Sequence, residues 1–179
     1  MCAASAAVRR REQVTPGLLF SCHRGLRSDN LCKPGEDSMA PVESAHCRSC
    51  EVQIRVRYAE TDAMGYLHHA QYFVYFEIGR TELLRASGIA YADMERMGLF
   101  YVVAKLECRF RAPARYDDLL TLTTIAERIT YVRVDHRYEL KRGSTLLSEG
   151  HSTLVLVGRD GRPMGLPDDL YAQLSGEPD

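Results

Sequence analysis

Residues 51–174 read as one α+β domain in which a single long helix packs on the apolar face of a five-stranded, largely antiparallel sheet. Three observations predict this class. Val52, Ile54, Val56 and Tyr58 alternate with Gln53, Arg55 and Arg57. A dense run from His69 to Ala86 mixes strong helix formers with aromatic residues, and four strand-like runs follow it with short connections.

Each element follows from its residues. The alternation from Val52 marks a strand with one buried face, because successive side chains of a strand point to opposite sides. Ala59 to His68 is a connection that carries Asp62 and Gly65. The helix starts at His69. Glu77, Glu82, Leu83, Leu84 and Arg85 favour it, Tyr72, Phe73, Tyr75 and Phe76 crowd its first half, and only Gly79 interrupts. These aromatics predict a start that is deeply buried. Gly88 ends the helix, as a glycine in left-handed backbone does. A helical turn over Tyr91 to Arg96 is closed by Gly98. Strands are expected at Tyr101–Phe110, Leu119–Ile129, Tyr131–Leu140 and Leu146–Val157. Pro113 keeps the first of these from running into the next, since proline cannot donate to a ladder. Lys141-Arg142-Gly143-Ser144 reads as a hairpin turn, and Asp160-Gly161 as the turn after the last strand.

Length and composition bound the rest. A chain of 179 residues supports one ordinary hydrophobic core. A formal net charge of -1 offers no overall field for nucleic acid or an anionic membrane. No run approaches the roughly 20 apolar residues of a membrane span, because the long helix carries Glu77, Arg80, Glu82 and Arg85. Of the six cysteines, five stand at or before residue 50, which is not the layout of a disulfide scaffold. A reducing, cytoplasmic setting follows as the expectation. Cys47 and Cys50 form one CxxC with no second pair for a zinc site. Residues 1–50 lack any sustained period and contain Pro16, Pro34 and Pro41, so they are expected to be a disordered extension, with 175–179 a short tail. Arg9, Arg10, Arg11, Arg24 and Arg27 give the extension the composition of a targeting peptide, but an upstream extension with no folded role, with Met39 as a second start, is the reading favoured over targeting.

The chemistry centres on Tyr58-Ala59-Glu60-Thr61-Asp62-Ala63-Met64-Gly65-Tyr66-Leu67-His68-His69. An acid and a histidine stand seven residues apart between a strand and a helix start, where free backbone N–H groups favour negative charge. Asp62 is then a carboxylate that attacks or activates water, or a turn acid that only satisfies nearby N–H groups. The pattern leaves both open. His69 divides in the same way between orienting a substrate and a structural hydrogen bond, and His68 is expected to be exposed. The His-His pair lacks metalloprotease spacing, and no nucleotide loop or G-x-S-x-G occurs.

The run Y-A-E-T-D-A-M-G-Y-L-H-H-A-Q-Y-F, followed by E-I-G-R-T-E-L-L, resembles the opening of hotdog-fold thioesterases of the 4-hydroxybenzoyl-CoA thioesterase type, in particular the branch associated with the Tol-Pal system. The resemblance covers residues 51–172. It implies an acyl-CoA hydrolase with a curved antiparallel sheet wrapped around one helix, needing no metal or cofactor. It further implies subunits joined edge to edge as a homodimer, with dimers often pairing into a homotetramer. The family's catalytic acid falls on Asp62, its histidine on His69, and a site tyrosine on Tyr58. The His69 main-chain N–H corresponds to the donor that polarises the thioester carbonyl, and Glu77 falls on a familiar helix acid. Met64 replaces the usual glycine or proline, and Gln71 the usual asparagine. Coenzyme A needs cations, for which Arg109, Arg111, Arg115, Lys141 and Arg142 are candidates, and Leu67, Tyr72 and Phe73 are candidates to pack the acyl group or the core. Two other readings remain: a dehydratase acting on a 3-hydroxyacyl thioester, and a non-catalytic acyl-thioester binding domain.

Overall fold

The computed structural model describes residues 20–21 and 47–176, so the expectations for the extension and the tail fall largely outside the described residues. In chain order the elements are β1 (Phe20–Ser21), β2 (Ser49–Arg55), α1 (His69–Ala86), α2 (Tyr91–Arg96), β3 (Phe100–Phe110), β4 (Leu119–Ile129), β5 (Arg133–Arg142), β6 (Thr145–Val157) and α3 (Asp168–Ser175). A 3-10 turn, Tyr58–Glu60, lies between β2 and α1.

The sheet runs in the order β1-β2-β4-β5-β6-β3 with every neighbour antiparallel. The expected five-stranded antiparallel sheet is β2-β4-β5-β6-β3, wrapped around α1. Phe20 and Ser21 extend it by pairing with Val52 and Glu51. Alternation decides which face meets the helix: Val52 and Ile54, then Leu120, Leu122, Thr124 and Ala126, then Val134, His136, Tyr138 and Leu140 are buried in turn along β2, β4 and β5.

On α1 the buried positions are Tyr72, Tyr75, Phe76, Gly79, Arg80, Leu83 and Leu84, spaced three and four apart as one helical stripe. Gly79, the one poor helix former in that run, sits where the backbone approaches β4 most closely. A Cβ there would lie 2.2 Å from Thr124 Oγ1. Gly150 of β6 makes equivalent room for the Phe76 ring, which stacks on Tyr138 at 4.4 Å. A second cluster of Leu84, Ile89, Met94, Leu99, Leu156, Leu166 and Leu174 seats α2 and α3.

Several expectations are corrected. The start of α1 is not deeply buried: His69 and Ala70 are exposed, and burial begins at Tyr72. The first strand begins at Ser49 and ends at Arg55, although Val56 stays buried with its N–H donating to Asp118 O at 3.0 Å. Tyr131 and Val132 precede β5 rather than open it, because Thr130 N–H turns back to Arg133 O at 2.8 Å. Helix α3 has no counterpart in the expected elements. By contrast Gly88 and Gly98 take the left-handed backbone expected of them, with φ of +81° and +83°.

Candidate active site

The connection between β2 and α1 is a small hairpin. Thr61 pairs with Leu67, Asp62 N–H donates to Tyr66 O at 2.8 Å, and Gly65 N–H closes the tip on Asp62 O at 2.9 Å. Gly65 turns the chain with φ +75°, a conformation that only glycine adopts at no steric cost. The hairpin leans on the segment before β4, where Leu67 N–H donates to Ala114 O at 2.9 Å and Tyr66 pairs with Arg115.

Asp62 sits half-buried on this hairpin. Its Oδ1 accepts the N–H groups of Met64 (2.8 Å) and Tyr66 (3.1 Å), the turn role. Among the described residues nothing donates to Oδ2. The Met64 side chain plays no part in this hydrogen bond and is exposed. At the helix mouth, His68 caps α1 through Nδ1, which accepts Ala70 N–H at 3.3 Å, and its carbonyl accepts Gln71 N–H at 2.9 Å. His69 N–H, the first of the helix, meets no acceptor among the described residues, as expected of an orphan donor in a first helical turn. The exposed His69 ring lies 4.1 Å from that of His68.

Glu60, which the sequence reading passed over, is the acid that organises this corner. Only 4% exposed, it accepts Arg57 Nε at 2.9 Å and Nη2 at 2.6 Å on Oε1. Its Oε2 accepts Arg57 N–H and Tyr75 Oη–H, both at 2.7 Å. Burial works to raise the pKa of this carboxyl, but the hydrogen bonds from Arg57 and Tyr75 outweigh it and hold the group below the usual glutamate value. The available signal was the capping-box spacing of Arg57 and Glu60 across the 3-10 turn.

Comparison with known proteins shows the family to which the chain belongs. Residues 64–149 match the family model described as Thioesterase superfamily. The acyl-CoA thioester hydrolase YbgC of Escherichia coli is 33% identical over 125 residues, covering 67% of this chain and 91% of that protein. The chain belongs to the hotdog-fold acyl-CoA thioesterases. The solved structure of the Thermus thermophilus protein TT1821 agrees, with 36% identity, a TM-score of 0.68 and coverage of 70% of this thioesterase and 97% of that chain. So does the DHNA-CoA thioesterase of Staphylococcus aureus, with 28% identity, a TM-score of 0.69 and coverage of 72% and 89%.

Other candidate residues in the thioesterase are scattered. Tyr58 is 78% exposed and touches the Tyr116 ring edge-on at 5.6 Å, with no hydrogen bond to Asp62. Glu77 is on the outer side of α1, paired with Arg80 at 3.2 Å. Among the cations, Arg111 pairs with Glu149, Lys141 with Glu139 and Arg142 with Asp118. Arg115 lies over the Tyr66 ring at 4.5 Å, on the wall of the Asp62 hairpin. Leu67 and Tyr72 belong to the core, and Phe73 packs against it. Cys50 is a core residue as well, and burial pushes the Cys108 thiol up to about 11.

A small cavity of the thioesterase lies elsewhere. About 30 Å³ in size, it lies at the far half of α1 among Arg80, Tyr91, Tyr101 and His136. That is room for about two waters at most, so it is a gap in the core and too small for an acyl group. Among the described residues no cluster of three or more His, Cys, Asp or Glu side chains is arranged to hold a metal ion.

Proposed function

We propose that the enzyme hydrolyses acyl-CoA thioesters to a free acid and CoA, with Asp62 as nucleophile or general base and the His69 main-chain N–H polarising the thioester carbonyl. One observation carries this reading: a single hairpin bears a carboxylate with one oxygen that has no partner among the described residues, and it leads directly into a helix whose first N–H likewise has none. A thioester needs little more. Its thiolate leaves readily, so a positioned oxygen nucleophile and a donor for the developing oxyanion suffice. The helix dipole adds to the donor by favouring negative charge at that end. His69 and Tyr58, both exposed, are free to border an incoming substrate. Family membership supports hydrolysis over dehydration or binding alone.

The open side of the site supports a homodimer, with a homotetramer as the larger assembly. Tyr72, at the helix start, meets Phe110 edge-on at 4.9 Å, so the helix mouth lies beside the end of β3. Among the described residues β3 pairs only with β6, and Val102, Val103 and Phe110 are exposed along it. A long uncovered edge strand of this kind favours pairing with a second copy. Val103→Lys should shift sedimentation from dimer toward monomer and lower turnover with it. The layout of the cysteines supports a cytoplasmic setting.

The reaction is tested by following CoA thiol release from short-chain, long-chain and aromatic acyl-CoAs. Release well above enzyme-free controls with at least one class is expected. An enoyl product, or no release across the panel, would overturn the reading.

A further inference from the structure

We infer that Glu60 is the positioning residue of this site, setting the spacing between the Asp62 carboxylate and the His69 N–H; the inference rests on the role proposed for those two groups. Among the described residues Glu60 is the one buried acid. Its carboxylate joins the exit of β2, through Arg57, to the middle of α1, through Tyr75, which is 1% exposed. Its carbonyl accepts His68 N–H at 2.9 Å, one residue before the proposed oxyanion donor. Asp62 follows two residues later. Strand exit, nucleophile and helix mouth are therefore tied to one side chain.

Stability alone explains this arrangement poorly. Arg57 is largely exposed, and ion pairs with an exposed partner contribute little. Desolvating a carboxylate is costly, and an apolar residue of similar size is often as stable or more so in such a place. What an apolar residue lacks is direction. Glu60 fills its acceptor sites with four hydrogen bonds of fixed geometry, which is how a supporting residue locks a reacting group within fractions of an ångström. It has no hydrogen-bonding capacity left for a substrate, so it acts through Asp62 and His69.

The test compares Glu60→Gln, Tyr75→Phe and Asp62→Asn in the full chain. Gln keeps the shape of Glu but cannot accept all four donors. Glu60→Gln is expected to lower kcat about tenfold or more with KM within about twofold, since small misplacement of reacting groups is expensive in rate. The amides of Met64 and Tyr66, which hold Asp62 Oδ1, should exchange with solvent several-fold faster, a readout independent of turnover. Tyr75→Phe should move kcat and exchange in the same direction by less. Wild-type kcat and exchange in Glu60→Gln would overturn the inference; so would a loss carried by KM. If Glu60→Gln does not fold, Tyr75→Phe decides, and wild-type values there overturn it. Wild-type turnover in Asp62→Asn would instead sink the role of Asp62, and amide exchange would then judge Glu60 alone.

Discussion

The two ends of α1 are built in opposite ways. At its N-terminal end the first turn is exposed, His69 N–H and Asp62 Oδ2 have no partner among the described residues, and the polar groups just behind them are fully engaged through Glu60. Toward its C-terminal end the helix is pressed into the sheet at Gly79, Arg80 is buried, and the polar atoms Tyr101 Oη and His136 Nδ1 are enclosed with no hydrogen-bond partner among the described residues. The enclosed cavity is at the second end and the candidate chemistry at the first. On the proposed reading, the site is marked by open hydrogen-bonding capacity on a well-supported frame and not by enclosure within one chain. That reading predicts a division of labour in which the far end holds the fold and the near end performs the reaction.

The sharpest way to break this comparison is at Gly79. A valine there would drive its side chain into Thr124 Oγ1, 2.2 Å from the position of Cβ, and should cost roughly 3 kcal/mol or more of stability. Tm should fall by many degrees, while turnover per folded molecule stays within about twofold. A large fall in kcat in the protein that remains folded would erase the division of labour.

Acid sharpens it next. Burial, with Arg80 nearby, lowers the pKa of His136 from 6.5 to about 4. Above pH 6.5 neither state of the chain holds that proton. Below it the unfolded chain binds the proton and the folded chain does not, so stability drops as pH falls toward 4, by on the order of 3 kcal/mol. Glu60, whose pKa is lowered, keeps its full contribution above 4.5 and loses it as pH falls from there through its folded-state value. Denaturation midpoints at a series of pH values should show the first loss in wild type and a shallower slope in His136→Leu.

The smallest effect belongs to the near end. His68→Ala removes the side-chain N-cap of α1 and should reduce stability by no more than about 1 kcal/mol in urea unfolding. A loss of several kcal/mol would show that the near end also carries the fold.

Much of this was legible in the residues. The α1 bounds, His69–Ala86, follow from helix formers and Gly88, and the β2 alternation gives its buried face. Asp62 in a turn before a helix was visible too, although the splitting of its two oxygens between turn and solvent was not. Tyr58 shows where periodicity fails: extended alternation puts it beside Val56, but the 3-10 turn starts at Tyr58 and swings the ring outward. Glu60 was hidden because one of its partners, Tyr75, is fifteen residues away and meets it only once the helix has docked. Helix α3 is eight residues long, and its signals, Pro167 before Asp168-Asp169 and Gly176 after Ser175, are the brief punctuation of a short helix. The strand at Phe20–Ser21 depends on a partner some thirty residues away, which local pattern does not register.

The central claim concerns one oxygen atom, and Asp62→Asn addresses it most directly. The amide keeps the side-chain oxygen that Met64 and Tyr66 hold, and replaces the uncommitted one with a group that neither attacks nor takes a proton. The variant should match wild type in circular dichroism and melt within a few degrees of it, yet lose more than about tenfold in kcat with acyl-CoA. Wild-type turnover from that folded variant would contradict the account.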